Sequence, residues 1–263
     1  MPKLAANVST LFAERPFLER FAAAARAGFR AVEYQYAYDQ RAEDVAAAVR
    51  DAGVELVLHN MPQGDAQLGE RGTACVPGRE QRFREDFERA IGYAKLARCT
   101  SLHLMAGVMP PGAERAAYHA TYVANLKHAA KRLGEEGMRL LIEPLSERTV
   151  ANCFLRSSAQ AAQVLDEVAA PNAFIQYDLF HMQLMEGNLV TTIERLLARI
   201  GHIQLADAPG RHEPGTGEIN FAFVLREIDR LGYAGWIGCE YNPSGDTLET
   251  LKWARPYLRG NGK

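Results

Sequence analysis

Eight short β-prone runs alternate with amphipathic helical stretches along this chain, and that alternation limits the folds open to it. The runs are LAANVS (4–9), AVEYQY (31–36), ELVLHN (55–60), SLHLMAG (101–107), RLLIEPL (139–145), AFIQYDLF (173–180), HIQLAD (202–207) and WIGCEY (236–241). Between them, apolar residues recur at helical spacing in PFLERFAAAARAG, which stops at Gly28, and in RAEDVAAAVRDAG, which stops at Gly53. The segments 79–98, 114–136, 157–170, 189–200, 219–231 and 246–258 are likewise rich in Ala, Leu, Arg and Glu. Ser157 and Ser158 stand where a hydroxyl caps a helix. Eight strands, each followed by a helix, predict an α/β fold, a (β/α)8 barrel, as one domain over residues 1–263. A doubly wound open sheet uses fewer strands, and no GxGxxG follows the first run. No low-complexity linker or shift in composition divides the chain. Two connections are unusual: residues 60–79 are long for a loop after a strand, and 207–220 are rich in Gly and Pro. Both are expected on the face where barrels build active sites, as candidate lids.

Several function classes fall away on composition. The formal net charge is −2, so no basic excess prepares the surface for nucleic acid. Arg79, Arg82, Arg84 and Arg89 are interleaved with Glu80, Glu85, Asp86 and Glu88, the pattern of a solvated helix face. No stretch approaches the roughly 18 apolar residues of a membrane span. MPKLAANVSTLF lacks the apolar run and cleavage site of a secretory leader. Cys75, Cys99, Cys153 and Cys239 form no CxxC pair and read as free thiols. Cytoplasmic residence is the expectation, without membrane or nucleic-acid partners; assembly into a homo-oligomer stays open.

Four successive runs in the second half end in an oxygen-bearing side chain: Glu143, Asp178, Gln204 and Glu240, separated by 35, 26 and 36 residues. A carboxylate near the end of an apolar strand is costly to bury unless something positive meets it. Alternate strand residues face inward, so the pairs Gln176 and Asp178, His202 and Gln204, and Gly238 and Glu240 each share a face. Three carboxylates and one amide oxygen form a hard site, suited to Mg²⁺ or Mn²⁺ rather than a thiolate-bound zinc. Glu33 also sits on a strand, as a barrel-core or supporting carboxylate rather than a ligand. His181, three residues after Asp178, and His59, at the end of ELVLHN, are candidates to hydrogen-bond a substrate oxygen. His103 and His202 lie inside strands; His119 and His128 are expected on a helix surface. Arg211 and Arg71 are candidates to hold a substrate carboxylate through a two-pronged contact.

Other chemistries lack their residues. The six lysines, Lys3, Lys95, Lys127, Lys131, Lys252 and Lys263, avoid the expected strand ends, which disfavours a Schiff-base aldolase. No GxSxG elbow and no GxxxxGK[ST] loop is present, and GTGEIN resembles a phosphate cradle only weakly. A metal flanked by carboxylates is suited to moving a proton beside a carbonyl. The ion polarises the carbonyl and stabilises an enediolate, one glutamate removes the proton from carbon, and a second group returns it to the next carbon. Glu143 and Glu240, at opposite ends of the ligand set, suit that pair. The reaction is an aldose–ketose isomerisation or an epimerisation and needs no organic cofactor.

HNMPQGDAQLGERGTACVPGRE (59–80), IQYDLFHMQLMEGNL (175–189), HIQLADAPGRHEPGTGEIN (202–220) and WIGCEYNP (236–243) resemble the hydroxypyruvate isomerase family over essentially the whole chain. The wider group is the xylose-isomerase-like TIM barrel superfamily, which includes sugar epimerases and endonuclease IV. The resemblance implies a metal held by Glu143, Asp178, Gln204 and Glu240, with Glu143 and Glu240 as acid and base. Epimerase relatives usually carry histidine where this chain has Gln204. The implied reaction interconverts hydroxypyruvate and 2-hydroxy-3-oxopropanoate (tartronate semialdehyde), so the expected partner is a small hydroxy-oxo acid. The sister group, 2-oxo-tetronate isomerase, acts on a four-carbon acid. SLHLMAGVMPPG (101–112) resembles that sister group, whereas HNMPQGD and GERGTACVPGRE lean toward the three-carbon enzyme. YQYAYD (34–39) departs from both patterns and bears on the pocket wall. An endonuclease IV-like enzyme would need a basic groove and more histidines, and a barrel with a purely structural metal would show no turnover.

Overall fold

Each of the eight β-prone runs forms a strand, and each strand pairs in parallel with the next. A computed structural model describes residues 1–65, 67 and 69–259. The strands are β1 (Lys3–Asn7), β2 (Ala31–Tyr34), β3 (Glu55–Asn60), β4 (Ser101–His103), β5 (Arg139–Ile142), β6 (Ala173–Asp178), β7 (Ile200–Leu205) and β8 (Trp236–Cys239). β8 returns to β1 and closes the barrel, the (β/α)8 fold expected from the alternation. Among the described residues, no helix is long and apolar enough to cross a membrane.

The helices form the outer layer for reasons visible in their sequences. They are α1 (Phe17–Arg26), α2 (Ala42–Ala52), α3 (Glu80–Ala97), α4 (Arg115–Glu135), α5 (Ser158–Val168), α6 (Leu179–Met185), α7 (Leu189–Leu196), α8 (Phe221–Arg230), α9 (Thr247–Thr250) and α10 (Arg255–Arg259). In α2, Val45 and Val49 lie one turn apart and are buried, while Glu43 and Asp44 complement the positive first turn. Gly53 closes it at φ 67°, a left-handed turn that glycine adopts without a Cβ penalty. In α5, the Ser157 hydroxyl accepts from the Gln160 backbone N–H at 3.1 Å, so Ser157 is the cap and Ser158 the first helical residue.

Two expectations differ from what forms. The run 173–180 stays a strand only to Asp178. There the Asp178 carboxylate accepts from the Phe180 backbone N–H at 2.8 Å and starts α6, which buries Leu179, Phe180 and Met182. The stretch 246–258 is a succession of α9, a 3-10 turn over Leu251–Ala254, and α10. Pro256 explains the break: it has no N–H to continue the earlier helix and is tolerated only in a first turn.

Candidate active site

The site residues come from the C-terminal ends of the strands and the segments that follow them, the face where barrels of this kind do their chemistry. A cavity of about 200 Å³ opens there, lined by Tyr36, Arg71, Glu143, His181, Arg211 and Glu240 among others. Its size is below the ~300–1,000 Å³ of pockets for drug-sized ligands, so it suits a small molecule. Grooves of about 410 and 540 Å³ lie elsewhere, but each is lined by only one carboxylate.

Glu143 follows β5 and precedes Pro144, which holds the preceding residue extended. Its side chain is buried, and among the described residues Oε1 has no hydrogen-bond partner. Burial first, then the charges of Glu240 and Asp178, push it well above the usual carboxylate range. Asp178 spends Oδ1 on capping α6; its Oδ2 lies 3.4 Å from Arg211 Nη2 and 3.6 Å from His181 Nε2, and neither Asp178 nor Gln204 is among the residues lining the cavity. Glu240, just beyond β8, accepts from Arg211 Nη2 at 2.7 Å, Gln35 Nε2 at 2.9 Å and Asn7 Nδ2 at 3.0 Å. Burial pushes it up to about 7, against the pull of Arg211. Gln204 pairs in register with Asp178 and Gly238 on neighbouring strands; its Oε1 accepts from Gln176 Nε2 at 2.6 Å.

Ligating atoms of Glu143, Asp178 and His181 lie within 4.8 Å of one another, close enough for one ion. Donors face both ring nitrogens of His181: Nδ1 lies 3.2 Å from the Ser146 backbone nitrogen and Nε2 lies 3.3 Å from Arg211 Nη1, while a neutral ring accepts at one nitrogen only. Burial lowers His181 to about 4, so the ring is neutral near pH 7. Glu240 lies outside this cluster and is joined to Asp178 through Arg211. The donor set fits a hard divalent ion: three buried carboxylates face one guanidinium, and a buried Glu143 oxygen has no partner among the described residues.

The two candidate arginines differ sharply. Arg211 stands in the 207–220 loop at φ 58° and is bound to the protein's own carboxylates. That loop folds around buried Asp207, whose carboxylate accepts backbone N–H groups of Ala208, Gly215, Gly217 and Ile219 at 2.8–3.1 Å. The Arg211 carbonyl also accepts from Asn242 N–H at 2.8 Å, tying it to the segment after β8. Arg71 lines the cavity from the 60–79 loop; among the described residues it meets no carboxylate, and Nη1 donates to Gln63 Oε1 at 3.3 Å. Next to it, Gly72 (φ 112°) packs so closely that a Cβ would collide with the Met105 carbonyl. This contact pins the loop to the segment after β4.

His59 is not among the residues lining the cavity, contrary to expectation. The register between β2 and β3 shifts by one, pairing Glu33 with Leu58 and Tyr34 with His59. The extra residue reverses the alternation. His59 stacks on outward-facing Tyr34 with ring centroids 5.2 Å apart, while Asn60 lines the cavity. Its Nδ1 lies 3.2 Å from the Asn60 carbonyl, and burial lowers its pKa to about 4. His103 is buried, 3.2 Å from Asn60 Oδ1. Gln35 and Tyr36 line the cavity, in keeping with the place of YQYAYD on the pocket wall, whereas Asn7 and Gln176 are supports that the sequence does not mark. An amide within a strand carries no signal of its own until register brings it to a partner.

A family model described as xylose isomerase-like TIM barrel matches residues 21–257. The 2-oxo-tetronate isomerase of Pectobacterium atrosepticum is 45% identical, over 98% of this chain and 98% of its own. The hydroxypyruvate isomerase of Escherichia coli strain K12 is 43% identical, over 98% of this chain and 100% of its own. A crystal structure from Brucella melitensis described as a family 2 AP endonuclease superposes with a TM-score of 0.95 at 42% identity, over 98% and 99% of the two chains.

Proposed function

The chain belongs to the xylose isomerase-like TIM barrel family, and from that premise we propose that it interconverts hydroxypyruvate and 2-hydroxy-3-oxopropanoate. It is an isomerase of the sugar-acid type, as its relatives are. One observation carries the finer reading. Glu143, Glu240, His181 and Arg71, an arginine that meets no carboxylate among the described residues, line one small cavity, and buried Asp178 offers an oxygen within 4.8 Å of a Glu143 oxygen.

Glu143, Asp178, Gln204 and Glu240 would hold Mg²⁺ or Mn²⁺. When bound, the ion supplies a Lewis acid that polarises the substrate carbonyl and eases loss of the neighbouring proton. Arg71 takes the substrate carboxylate, because Arg211 is already committed to Glu240 and Asp178. His181, which lines the cavity, would hydrogen-bond a substrate oxygen. One of Glu143 and Glu240 removes a proton from C3, and the other delivers one to C2; burial raises both above the usual carboxylate range, Glu240 to about 7. The hydroxyl proton passes from O3 to O2. One C–H bond breaks and one forms, so the reaction is redox-neutral and calls for no organic cofactor.

DNA recognition is the weaker reading. A phosphate backbone needs a basic groove, whereas the two arginines lining this cavity are matched by two carboxylates, and one arginine is already paired with Glu240. The test is proton NMR of purified protein with hydroxypyruvate, and separately with the four-carbon 2-oxo acid, with Mn²⁺ or with EDTA. Metal-dependent conversion of hydroxypyruvate at the higher efficiency is expected. Turnover of the four-carbon acid alone would move the assignment to 2-oxo-tetronate, and turnover undiminished by EDTA would remove the metal.

A further inference from the structure

Glu33 comes from AVEYQY on β2, faces the barrel interior and is fully buried. A carboxylate there must be met by donors. Three side chains meet it. Gln204 Nε2 donates to Oε1 at 2.8 Å and Asn7 Nδ2 donates to the same oxygen at 3.0 Å. His202 Nε2 lies 2.5 Å from Oε2. Whichever of Glu33 and His202 holds the proton between them, Oε1 remains the acceptor for both amides.

The consequence lies at Gln204. A glutamine amide has two ends of nearly equal size, one donor and one acceptor, and only the oxygen can bind a cation. Nothing within glutamine itself decides which end faces where. We propose that Glu33 is a positioning residue that fixes the Gln204 amide with its oxygen toward the metal site. This rests on the metal reading above.

Three further features support it. With its NH₂ group committed to Glu33, Gln204 presents Oε1 to the opposite side. That oxygen accepts one N–H from Gln176 and keeps a second lone pair for a cation. Asn7 is fixed in the same sense. Its Oδ1 accepts the Ser9 backbone N–H at 3.0 Å, which leaves Nδ2 to bridge Glu33 Oε1 and Glu240 Oε1, each at 3.0 Å. Glu33 therefore orients Gln204 directly and supports Glu240 through Asn7. Finally, Gly238 makes room: a Cβ at that position would overlap the Glu33 carboxylate.

The test is Mn²⁺ binding by the chelator-stripped full chain, with free ion followed by electron paramagnetic resonance and folding checked by circular dichroism. Glu33→Met leaves the Gln204 amide free to turn and is expected to weaken Mn²⁺ binding by at least about tenfold, the lower end of what a lost supporting contact costs a metal site. Glu33→Gln can still accept from Gln204 and Asn7 through its oxygen while its NH₂ meets His202. It is expected to stay within about threefold of wild type, whereas a metal site supported only by the charge of residue 33 would lose as much in both variants. Wild-type binding with Glu33→Met within twofold overturns this inference alone, as does equal loss in the two variants. Wild-type protein that holds no Mn²⁺ overturns the metal reading and this inference with it. Should Glu33→Met not fold, Gly238→Ala keeps every polar group and only displaces the carboxylate. It is expected to show the same loss, and unchanged affinity in the folded variant is equally fatal.

Discussion

Replacing Arg71 separates substrate binding from the integrity of the site. Arg71 is exposed, and Gln63 is its hydrogen-bond partner among the described residues, so Arg71→Met should change stability by no more than about 0.5 kcal/mol. If Arg71 meets the substrate carboxylate, the loss is that of a hydrogen bond to a charged group, about 1.5–3 kcal/mol. At about 1.4 kcal/mol per tenfold, kcat/KM falls roughly 10- to 150-fold, mostly through KM. Arg211→Met behaves differently. It strips the counter-charge from buried Glu240 and Asp178, a change of the kind that costs about 3–5 kcal/mol, and it lowers the melting temperature as well as kcat. The assay is steady-state isomerisation of hydroxypyruvate over a wide substrate range, with thermal melts of both variants. An Arg71→Met enzyme with KM within twofold of wild type would refute the assignment of the carboxylate to Arg71.

Other outcomes follow from the same geometry. Chelation of a bound ion should lower the melting temperature by roughly 5–10 °C. An ion at 100-fold excess over its Kd contributes about 2.7 kcal/mol, and a chain of this size moves about 2–4 °C per kcal/mol; an unchanged melt and rate with EDTA would contradict the metal site. His59 is lowered from 6.5 to about 4 by burial. Between those pH values the unfolded chain binds more protons there, so this contribution to stability is complete above pH 6.5 and is lost as pH falls toward 4. It is on the order of 3 kcal/mol at most. Because His59 stacks on Tyr34 away from the cavity, His59→Phe should flatten the fall of the urea midpoint between pH 7 and pH 5 and leave kcat/KM within twofold. A large loss of kcat/KM would return His59 to the substrate.

The barrel was legible because its determinants are local. Glycine stops, serine caps and helical periodicity each act within a few residues, as the Val45, Val49 and Gly53 set does in α2. The inward phase of Asp178, Gln204 and Gly238 was legible too, since alternation on β6, β7 and β8 carries through to their register. His59 was misplaced because one extra residue in β3 reverses that alternation, and nothing in ELVLHN marks it. The run 173–180 extends past the end of β6 because Leu179 and Phe180 are as β-prone as they are helical, and the Asp178 cap just before them decides the matter. Asn7, Glu33 and Gln176 matter through one another, across strands far apart in sequence. No single run could reveal that.

In the proposed reaction Glu143 and Glu240 move a proton between adjacent carbons, and proton NMR of hydroxypyruvate isomerisation in D₂O, at early time points, tests that transfer. If one carboxyl group removes the C3 proton and another delivers a different one, C2 of the product carries deuterium. Glu143→Gln and Glu240→Gln should then each slow the conversion by at least about 100-fold. Product with protium at C2, or near-normal turnover in either variant, would contradict the mechanism at the residue concerned.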